Sequence, residues 1–346
     1  MENCFHVGRL GRRRDTRRSF ADLAVHLNCW GCSRWIALTV DSPDGCIVSQ
    51  LPDFLGPYRL LKYIRSGNSS QIWEAVRDKS DRFILKILRS DNWGNKEEIA
   101  LLKHEFEVGH ALTHPSIIRI HEFNLEGPIA YLVLDVFSSL NVKQAMRESH
   151  AKILVHFSKI AEQMTLALGH MHEKGWVHCD VKPDNFLLNE KGIIKLIDFT
   201  ISRKAATGMI SRMFGKQKVI QGTRSYMSPE QIRGQALDGR ADIYSLGCVL
   251  FELLGGKPPF FGDSPNDLLQ KHLTASIPSV VVQNDNVMPE LAALLRKMMS
   301  KKPEDRPGSM AEVMKELRAQ KPFKLAPKLP ASSVEATDND SDKSDS

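Results

Sequence analysis

The stretch HCDVKPDN, residues His178–Asn185, places a Lys two residues and an Asn five residues after Asp180. A carboxylate that accepts protons, an ammonium group and an amide oxygen therefore share one short loop. Outward from this loop, the apolar run IIKLI leads to Asp198, and such a strand would hold this carboxylate rigidly. Towards the N-terminus, Lys86 ends the β-rich run RFILK, where an unpaired buried charge would be costly. Glu105, on a predicted helix, is its natural partner.

These groups match what the transfer of a phosphoryl group requires: an attacking hydroxyl held in line, metal ions on the phosphates, and positive charge beside them. Asp180 would accept or orient the proton of the hydroxyl, and Lys182 would offset charge that develops on the phosphate. Asn185 and Asp198 offer the oxygen ligands that Mg²⁺ prefers. Lys86 would aim its ammonium at the phosphates. Singly, each residue also has a structural interpretation, as a turn residue, a loop cap or a strand-end charge.

The composition of the 346-residue chain is ordinary for a globular protein, with 42% hydrophobic and 25% charged residues. No run of 18 or more apolar residues occurs, so we expect no membrane-spanning helix. Cys29 and Cys32 form a lone CxxC without a second pair, which disfavours a zinc site. Nothing indicates a disulfide-built secreted fold, so we expect a cytoplasmic protein.

The net charge of +6 is unevenly distributed between the two ends of the chain. Arginines crowd the start, at Arg9, Arg12, Arg13, Arg14, Arg17 and Arg18, and aspartates crowd the end, at Asp338, Asp340, Asp342 and Asp345. No aromatic residues interleave with the basic arm as a nucleic-acid platform would require. We therefore expect a solvated arm and no nucleic-acid partner, with attachment to an anionic surface as the alternative.

The pattern of apolar residues predicts an α+β fold with two lobes. The runs YRLLKYI, SQIWEAV and RFILKIL, separated by turn-like SGNSS and DKSD, predict antiparallel strands, and IAYLVLDVF predicts a buried strand. Between them, Ile99, Leu102, Phe106 and Ala111 have helical spacing. Beyond Asn141 the chain becomes mostly helical. Helices are predicted from about residue 157 to Gly175, over 242–254, over 289–299 and over 309–319.

The segment from about Tyr58 to Arg318 resembles the eukaryotic-like (Hanks-type) protein kinases, which supports the interpretation of the loop at Asp180. Within that family the runs YMSPEQ, DIYSLGCVLFELL and KPEDRP are most similar to the bacterial serine/threonine kinases. The ordered combination of HxDxKPxN with Lys86, Asp198, MSPE and Arg306 is far more specific than any single motif. The resemblance implies a small β-rich N-lobe, a larger helical C-lobe, and ATP bound with Mg²⁺ in the cleft between them.

The resemblance also implies which residues line the nucleotide site. The phosphate-covering loop would run from Ile64 to Ile72, with Gly67 inside it. Leu134 would be the gatekeeper, followed by a hinge that reads adenine. The implied cofactor-binding residues are Ile64, Gly67, Ile72, Ile84, Lys86, Glu105, Leu134, Asp135, Phe137 and Leu187, with Asp180 and Lys182 catalytic and Asn185 and Asp198 binding the metal.

The same resemblance implies supporting contacts around the catalytic loop. The activation segment would extend from Asp198 to Glu230, with Glu230 anchored by an ion pair to Arg306. Asp242 would brace the loop from below, and Thr223 would contact the loop that carries Asp180. Lys182 and Thr223 are typical of the serine/threonine branch.

These patterns divide the chain into three parts. Residues 1–53 show no sustained periodicity and are predicted to be an N-terminal extension. Residues 54–320 are predicted to form the kinase domain, with an N-lobe at about 54–136 and a C-lobe at about 137–320. The Pro, Ser and Asp content of residues 321–346 predicts a disordered acidic tail.

Two departures from the family pattern concern the ligand-facing loops. In IRSGNSSQI only Gly67 remains of the customary three glycines, since Arg65 and Ser70 occupy the outer positions. Because glycine permits close approach of the backbone to phosphate, this change predicts weaker binding of ATP. Thr200 replaces the glycine that usually follows Asp198 and Phe199, and a β-branched residue is stiffer there.

Two further departures concern regulation. Gly109 stands where the family places a large apolar residue against Phe199; a gap would loosen the helix, unless other side chains fill it. Cys179 replaces an Arg that grips a phosphorylated activation segment, so we expect activation without that grip. Phosphorylation at Thr207, Ser211 or Thr223 would then act differently. A thiol beside Asp180 should have a raised pKa, which favours a passive core cysteine over a redox sensor.

The sequence therefore predicts a serine/threonine protein kinase that transfers the γ-phosphoryl of Mg-ATP to protein hydroxyls, because no catalytic group is missing. The alternative is a weakly active or inactive pseudokinase that serves as an ATP-binding scaffold, which the poor glycine loop, Thr200 and Gly109 would favour. A kinase of small molecules is disfavoured, because MSPE and the preceding segment resemble a platform for extended peptides.

Overall fold

The structure is a computed structural model that describes residues 51–78, 80–206 and 223–329. The compact unit that carries the candidate site begins at Phe54. Several expectations lie outside the described residues: the N-terminal extension up to residue 50 with its CxxC, the phosphorylation sites at Thr207 and Ser211, and the tail from residue 330 onwards.

The first part of this unit is a six-stranded sheet in which all paired neighbours are antiparallel. Its strands are β1 (Phe54–Leu55), β2 (Tyr58–Ser66), β3 (Ser70–Arg77), β4 (Asp81–Leu88), β5 (Ile120–Glu126) and β6 (Ile129–Leu134). Their order in the sheet is β1-β2-β3-β4-β6-β5. The predicted antiparallel start and the predicted buried strand at β6 are confirmed. β5 was not predicted, because only its first residue is fully buried and its apolar pattern is weak.

A single long helix, α1 (Lys96–His110), lies between β4 and β5 in the chain. It begins at Asn95, whose side chain accepts hydrogen bonds from the amides of Glu97 and Glu98. Its buried face consists of Leu102, Glu105, Val108 and Gly109. The prediction of a helix is confirmed, but its predicted apolar face was partly wrong, since Ala111 is exposed and follows the helix. A search for apolar spacing overlooks a buried carboxylate and a buried glycine.

The second part is mostly helical. Its helices are α2 (Val142–Glu148), α3 (His150–Val155), α4 (Phe157–Glu173), α5 (Pro229–Ile232), α6 (Gly239–Gly255), α7 (Pro265–Thr274), α8 (Pro289–Met298) and α9 (Met310–Arg318). Two small sheets accompany them, formed by β7 (Leu140–Asn141), β8 (Trp176–Val177), β9 (Phe186–Leu188), β10 (Ile194–Leu196) and β11 (Arg203–Lys204). Their strand orders are β10-β9-β7 and β11-β8. The α+β, two-lobed prediction is confirmed.

The helices α4 and α6 form much of the core of this lobe. In α6 every residue of the range 241–254 is buried, which confirms the predicted core helix. Gly175, with a φ of 76°, adopts the left-handed conformation just after α4 ends, as predicted. The predicted α8 and α9 are also confirmed within one residue. Within the described ranges, no helix combines the length and apolarity needed to cross a membrane.

The chain stays packed beyond residue 320, although the sequence predicts a disordered tail from residue 321. The ring of Phe323 lies 5.9 Å from that of Phe157 on α4, in an edge-to-face contact. The Lys324 amide donates a hydrogen bond to the carbonyl of Asn286 at 2.8 Å. The first residues of the predicted tail are therefore part of the helical lobe. A lone Phe between prolines and lysines carries no periodic pattern that would reveal this packing.

Gly109 on α1 leaves no gap, because a side chain from the sheet fills the space. A Cβ added at Gly109 would overlap Cδ1 of Ile120 and lie 3.0 Å from Cδ2 of Phe199. Ile120, the first residue of β5, is fully buried. Of the two sequence-based alternatives, the structure therefore favours filling by another residue, and α1 is not loosened at this point.

This packing predicts that Gly109 and Ile120 are energetically coupled. Gly109→Leu alone should lower the free energy of unfolding by about 1–3 kcal/mol through overpacking, and Ile120→Ala alone by about 2–5 kcal/mol through a cavity. In the double variant the new Leu occupies the space that Ile120 vacates, so its loss should be smaller than the sum. Urea denaturation of the four proteins measures this coupling, and additive losses would refute the packing described here.

A buried ion pair joins Glu230 on α5 to Arg306, which lies shortly before α9. Arg306 donates from two guanidinium nitrogens to the two carboxylate oxygens of Glu230, at 2.6 and 2.9 Å. The same guanidinium donates to the carbonyls of Ser300 and Arg240, each at 2.8 Å. The Arg306 side chain has no exposed surface. The predicted anchor of the activation segment is therefore confirmed as a contact.

Removal of one partner should leave the other charge buried and unpaired. We expect Arg306→Ala to lower the free energy of unfolding by about 3–5 kcal/mol. Arg306→Lys should not restore it, because a lysine lacks the planar fork that satisfies several acceptors at once. The matched control is Arg318→Ala, which breaks an exposed pair with Glu162 and should cost about 1 kcal/mol or less. Equal losses in chemical denaturation for Arg306→Ala and Arg318→Ala would contradict the assignment.

Candidate active site

Lys86, Glu105 and Asp198 meet on the inner side of the six-stranded sheet. Lys86 on β4 donates from Nζ to Oε2 of Glu105 on α1 at 2.6 Å, and the same Nζ lies 3.6 Å from Oδ1 of Asp198. The Glu105 side chain is 2% exposed and the Lys86 side chain 17% exposed. The pairing of Lys86 with Glu105, predicted from the cost of a buried charge, is confirmed.

In this cluster, burial and the pairing of opposite charges shift the pKa of each group in opposite directions. Burial alone would lower the pKa of Lys86, but the charges of Asp198 and Glu105 outweigh it, so its pKa is raised. Burial raises the pKa of Glu105 and overcomes the opposing charge of Lys86. Burial also acts to raise the pKa of Asp198, yet Lys86 and a hydrogen bond from Thr200 hold it well below its usual range. Lys86 is therefore charged and Asp198 ionised at neutral pH.

The catalytic-loop candidates form one hydrogen-bonded group. Lys182 donates from Nζ to Oδ2 of Asp180 at 2.6 Å and to the hydroxyl of Thr223 at 2.9 Å. The Thr223 amide donates to the other Asp180 oxygen at 2.9 Å. Asn185 donates from Nδ2 to the Asp180 carbonyl at 2.8 Å. The predicted contact of Thr223 with this loop is confirmed.

Asp242, in the first turn of α6, holds the loop from below. Its carboxylate accepts hydrogen bonds from the amides of His178 at 2.8 Å and Cys179 at 3.0 Å, and from Nε2 of His172 at 2.8 Å. Burial acts to raise the pKa of Asp242, but these bonds and the nearby histidines keep it lowered. The predicted brace is confirmed as a contact.

The backbone is strained at the two ends of this arrangement. Cys179 has a φ of 69° and Asp198 a φ of 67°, values that side-chain-bearing residues rarely adopt. Such a conformation costs about 1–3 kcal/mol per residue and persists only where surrounding contacts enforce it. At Cys179 the enforcing contact is Asp242. The two strained residues thus lie in the segments that carry the carboxylates of Asp180 and Asp198.

Cys179 is a passive core residue. It packs against Val177, Leu237 and Ala241 and is 6% exposed. Burial, and to a lesser extent the charge of Asp242, raises the pKa of its thiol. A thiol that is neither ionised nor accessible does not serve as a redox sensor, so the sequence-based preference is confirmed.

The register of the large sheet places four of the predicted nucleotide-site residues on one face. Ile72 on β3 is paired with Lys86 on β4, and Ile84 on β4 is paired with Leu134 on β6. Paired residues share a face, and residues two apart on a strand share it as well. Ile72, Ile84 and Leu134 therefore lie on the same face of the sheet as Lys86 and give that face an apolar character. Such a surface suits the flat apolar face of a heterocycle.

The remaining predicted residues lie around this face with less regular placement. Ile64 falls at a register shift in the pairing of β2 and is 46% exposed. Gly67 closes a tight turn, with its amide donating to the carbonyl of Ser70 at 2.7 Å. Phe137 is half-buried and lies in the chain segment between β6 and β7. Leu187 on β9 is paired with Asn141 on β7.

Asp135 makes contacts that the sequence did not predict. Its carboxylate accepts a hydrogen bond from Nε2 of His121 at 2.6 Å, and its amide donates to the carbonyl of Arg119 at 3.1 Å. The amide of Asp135 and one oxygen of its carboxylate are therefore already used within the protein. No local signal in the sequence links His121 to Asp135, since β5 and β6 must pair first.

Thr200 also plays a part that sequence reasoning missed. Its hydroxyl lies 2.7 Å from Oδ1 of Asp198 and 3.1 Å from Oε2 of Glu105. From its residue type alone, Thr200 is notable for the stiffness of a β-branched side chain. The sequence did contain a signal for this contact, since a hydroxyl two residues after the Asp198 carboxylate can donate a hydrogen bond to it.

The donor set at the end of the cleft fits a hard divalent cation bound together with phosphates. Asn185 uses its amide nitrogen on Asp180, so its amide oxygen is the atom that could bind a cation. Asp198 supplies an ionised carboxylate. Within the described residues no group of three or more His, Cys, Asp and Glu side chains could hold a metal by itself. A cation here would need oxygen ligands from its substrate, as is usual at phosphate-transfer sites.

Comparisons with known proteins agree with this geometry. The family model for the protein kinase domain matches residues 58–318. The chain is 33% identical over 249 residues to the serine/threonine-protein kinase PrkC of Bacillus subtilis, covering 72% of this chain and 38% of that protein. It is 30% identical over 266 residues to the serine/threonine-protein kinase PknB of Mycolicibacterium smegmatis, covering 75% and 42% respectively.

A third relative, the probable serine/threonine-protein kinase CPE1738 of Clostridium perfringens, is 32% identical over 285 residues, covering 82% of this chain and 40% of that protein. The chain thus matches about two fifths of the length of these relatives. The family model, in contrast, covers most of the chain, from β2 to the end of α9. On that match, together with the site geometry, this chain belongs to the protein kinase domain family.

Proposed function

We propose that this chain is a serine/threonine protein kinase that transfers the γ-phosphoryl group of ATP to a protein hydroxyl. The observation that carries the proposal is the joint placement of two groups of side chains. The carboxylates of Glu105 and Asp198 lie 2.6 and 3.6 Å, respectively, from the same atom, Lys86 Nζ. Asp180 and Lys182 lie on the loop joined to the Asp198 segment, where the Ile197 amide donates to the Asn185 carbonyl at 2.9 Å.

In this proposal Asp180 orients the attacking hydroxyl and accepts its proton. Lys182, 2.6 Å from the Asp180 carboxylate, offsets negative charge on the transferred group. Lys86 binds the non-transferred phosphates, and its partner Glu105 keeps the ammonium directed at them. The Ile72, Ile84 and Leu134 face receives the adenine, with Ile64, Gly67, Asp135, Phe137 and Leu187 completing the nucleotide site.

We assign the divalent cation as Mg²⁺, held by Asn185 and Asp198. Both residues offer hard oxygen ligands, and Mg²⁺ commonly takes one or two protein ligands together with phosphate oxygens. When bound, the ion would neutralise charge on the phosphates. Asp198 is prepared for this by its lowered pKa, which keeps it ionised without the ion.

The proposed substrates are serine and threonine residues of proteins. The contact of Lys182 with Thr223 supports this choice, since that pair resembles the serine/threonine branch. We place the kinase domain at residues 54–320, extended by the packed segment to Leu325, and the lobe boundary near residue 136. Cys179 and Cys248 are free thiols, which supports a reducing, cytoplasmic location.

The alternative of an inactive scaffold has little support. The features that favoured it were the glycine-poor loop, Thr200 and Gly109. Ile120 fills the space at Gly109, and Thr200 contacts the carboxylates instead of displacing them. The glycine-poor loop remains, and it predicts weaker binding of ATP rather than loss of transfer.

The central test is Asp180→Asn, which keeps the shape of the side chain but removes the proton acceptor. We expect the rate of phosphoryl transfer from radiolabelled ATP to a generic protein acceptor such as casein to fall about 10²–10⁴-fold. The control is Asp263→Asn, at an exposed position before α7, which should transfer at the wild-type rate. Wild-type incorporation no greater than that of Asp180→Asn would overturn the proposed function.

The ion pair of Lys86 provides a test that separates stability from nucleotide binding. Lys86→Met leaves Glu105 buried without its partner, so the free energy of unfolding should fall by about 3–5 kcal/mol. Glu105→Gln added to Lys86→Met should restore part of that loss, because the more deeply buried of the two carboxylates is then neutral. Neither variant should gain thermal stability on addition of Mg-ATP, whereas the wild type should. A double variant less stable than Lys86→Met would contradict this account of the pair.

A further inference from the structure

Thr200 closes a ring of four atoms at the centre of the candidate site. Lys86 Nζ lies 2.6 Å from Glu105 Oε2 and 3.6 Å from Asp198 Oδ1. Thr200 Oγ1 lies 3.1 Å and 2.7 Å from the same two oxygens. Two donor groups therefore alternate with two acceptor oxygens, and Thr200 occupies the corner opposite the ammonium.

This arrangement matters because the ring contains two carboxylates and one cation. The carboxylates repel each other, and the single charge of Lys86 is shared between them. The hydroxyl of Thr200 supplies a second donor between the same two oxygens. Its single proton is donated either to Asp198 at 2.7 Å or to Glu105 at 3.1 Å, the two corners of the ring next to it. Hydrogen bonds to ionised acceptors are roughly twice as strong as bonds between neutral groups.

Thr200 is also the middle one of three successive contacts between its segment and α1. Before it, Phe199 packs where Gly109 leaves room. After it, Nε2 of His104 donates to the carbonyl of Ser202 at 2.8 Å. Of these three contacts, only that of Thr200 involves the charged groups: Glu105 is the partner of Lys86, and the same hydroxyl also contacts Asp198. It therefore couples the position of α1 to the position of the proposed metal-binding carboxylate.

We propose that the Thr200 hydroxyl is a positioning group that holds α1 and Asp198 together in the enzyme without bound nucleotide. The inference rests on the proposed function for its meaning, since it names how that site is kept in place. A glycine at position 200 could not make this contact, because it has no side chain. The contact needs no phosphate on the activation segment, which agrees with the loss of the phosphate-gripping Arg at Cys179. Thr200 is thus a built-in stabiliser of the arrangement in which Lys86 is paired.

The test compares Thr200→Val, which removes only the hydroxyl from a side chain of the same shape, with Thr200→Ser, which retains the hydroxyl. The matched control is Thr113→Val, which removes an exposed threonine hydroxyl just beyond α1 that accepts a hydrogen bond from Arg119. The readout is amide hydrogen exchange of the full-length chain, with a chelator present and no nucleotide. Exchange in α1 reports the local contact, and exchange in α6 reports global stability.

We expect amides of α1 to exchange about tenfold faster or more in Thr200→Val, as loss of a hydrogen bond to a charged group implies. Thr200→Ser should restore wild-type exchange in α1 to within about twofold, and Thr113→Val should match the wild type on the same energetic grounds. Exchange in α6 should not change in any of these variants. Recovery by serine would assign the effect to the hydroxyl and not to the β-branched shape.

Three outcomes would overturn the inference. They are unchanged exchange of α1 in Thr200→Val, exchange in Thr200→Ser as fast as in Thr200→Val, and an equal rise in α1 and α6. Because no nucleotide is present, the measurement does not depend on phosphoryl transfer. An inactive wild type with the expected exchange would refute the proposed function alone, while an active wild type with unchanged exchange would refute the role of Thr200 alone.

Discussion

The ion pair between Lys86 and Glu105 is the constraint around which the site is organised. A carboxylate that is 2% exposed needs a partner, and the partner comes from a different element, β4. The pair therefore sets the distance of α1 from the sheet. Once α1 is placed, Gly109 meets Ile120 and Phe199, and Glu105 comes within reach of Thr200. A single electrostatic requirement thus orders the packing of the N-lobe and one wall of the cleft.

The C-lobe contributes a second constraint through Asp242. Its carboxylate binds the amides of His178 and Cys179, which holds Cys179 at a positive φ. The strain at that residue is compensated by hydrogen bonds made in the interior, where they are strongest. The result is a loop in which Asp180, Lys182 and Asn185 belong to one hydrogen-bonded group. Strain and burial therefore serve the same end, which is to fix carboxylates where phosphates are proposed to bind.

The departures from the family pattern have local compensations. Ile120 from β5 fills the space at Gly109. At Cys179 an apolar pocket formed by Val177, Leu237 and Ala241 replaces the environment of a charged side chain. A family pattern describes which residue commonly satisfies a position, whereas the physical need at that position is volume or hydrogen bonding. Different residues can meet that need from another direction.

The sequence by itself determined the fold class, the main strands and helices, and the identity of the charged groups, because periodicity, caps and motif spacing are local properties. It also predicted the partner of Lys86, since a buried charge requires one, while the contacts of Arg306 and Asp242 were implied by the family resemblance. Only the tertiary structure decided that Ile120 fills the space at Gly109, that Thr200 bridges two carboxylates and that Phe323 packs on α4. These contacts join residues distant in the chain, and their geometry follows from how elements pack, which no local pattern encodes.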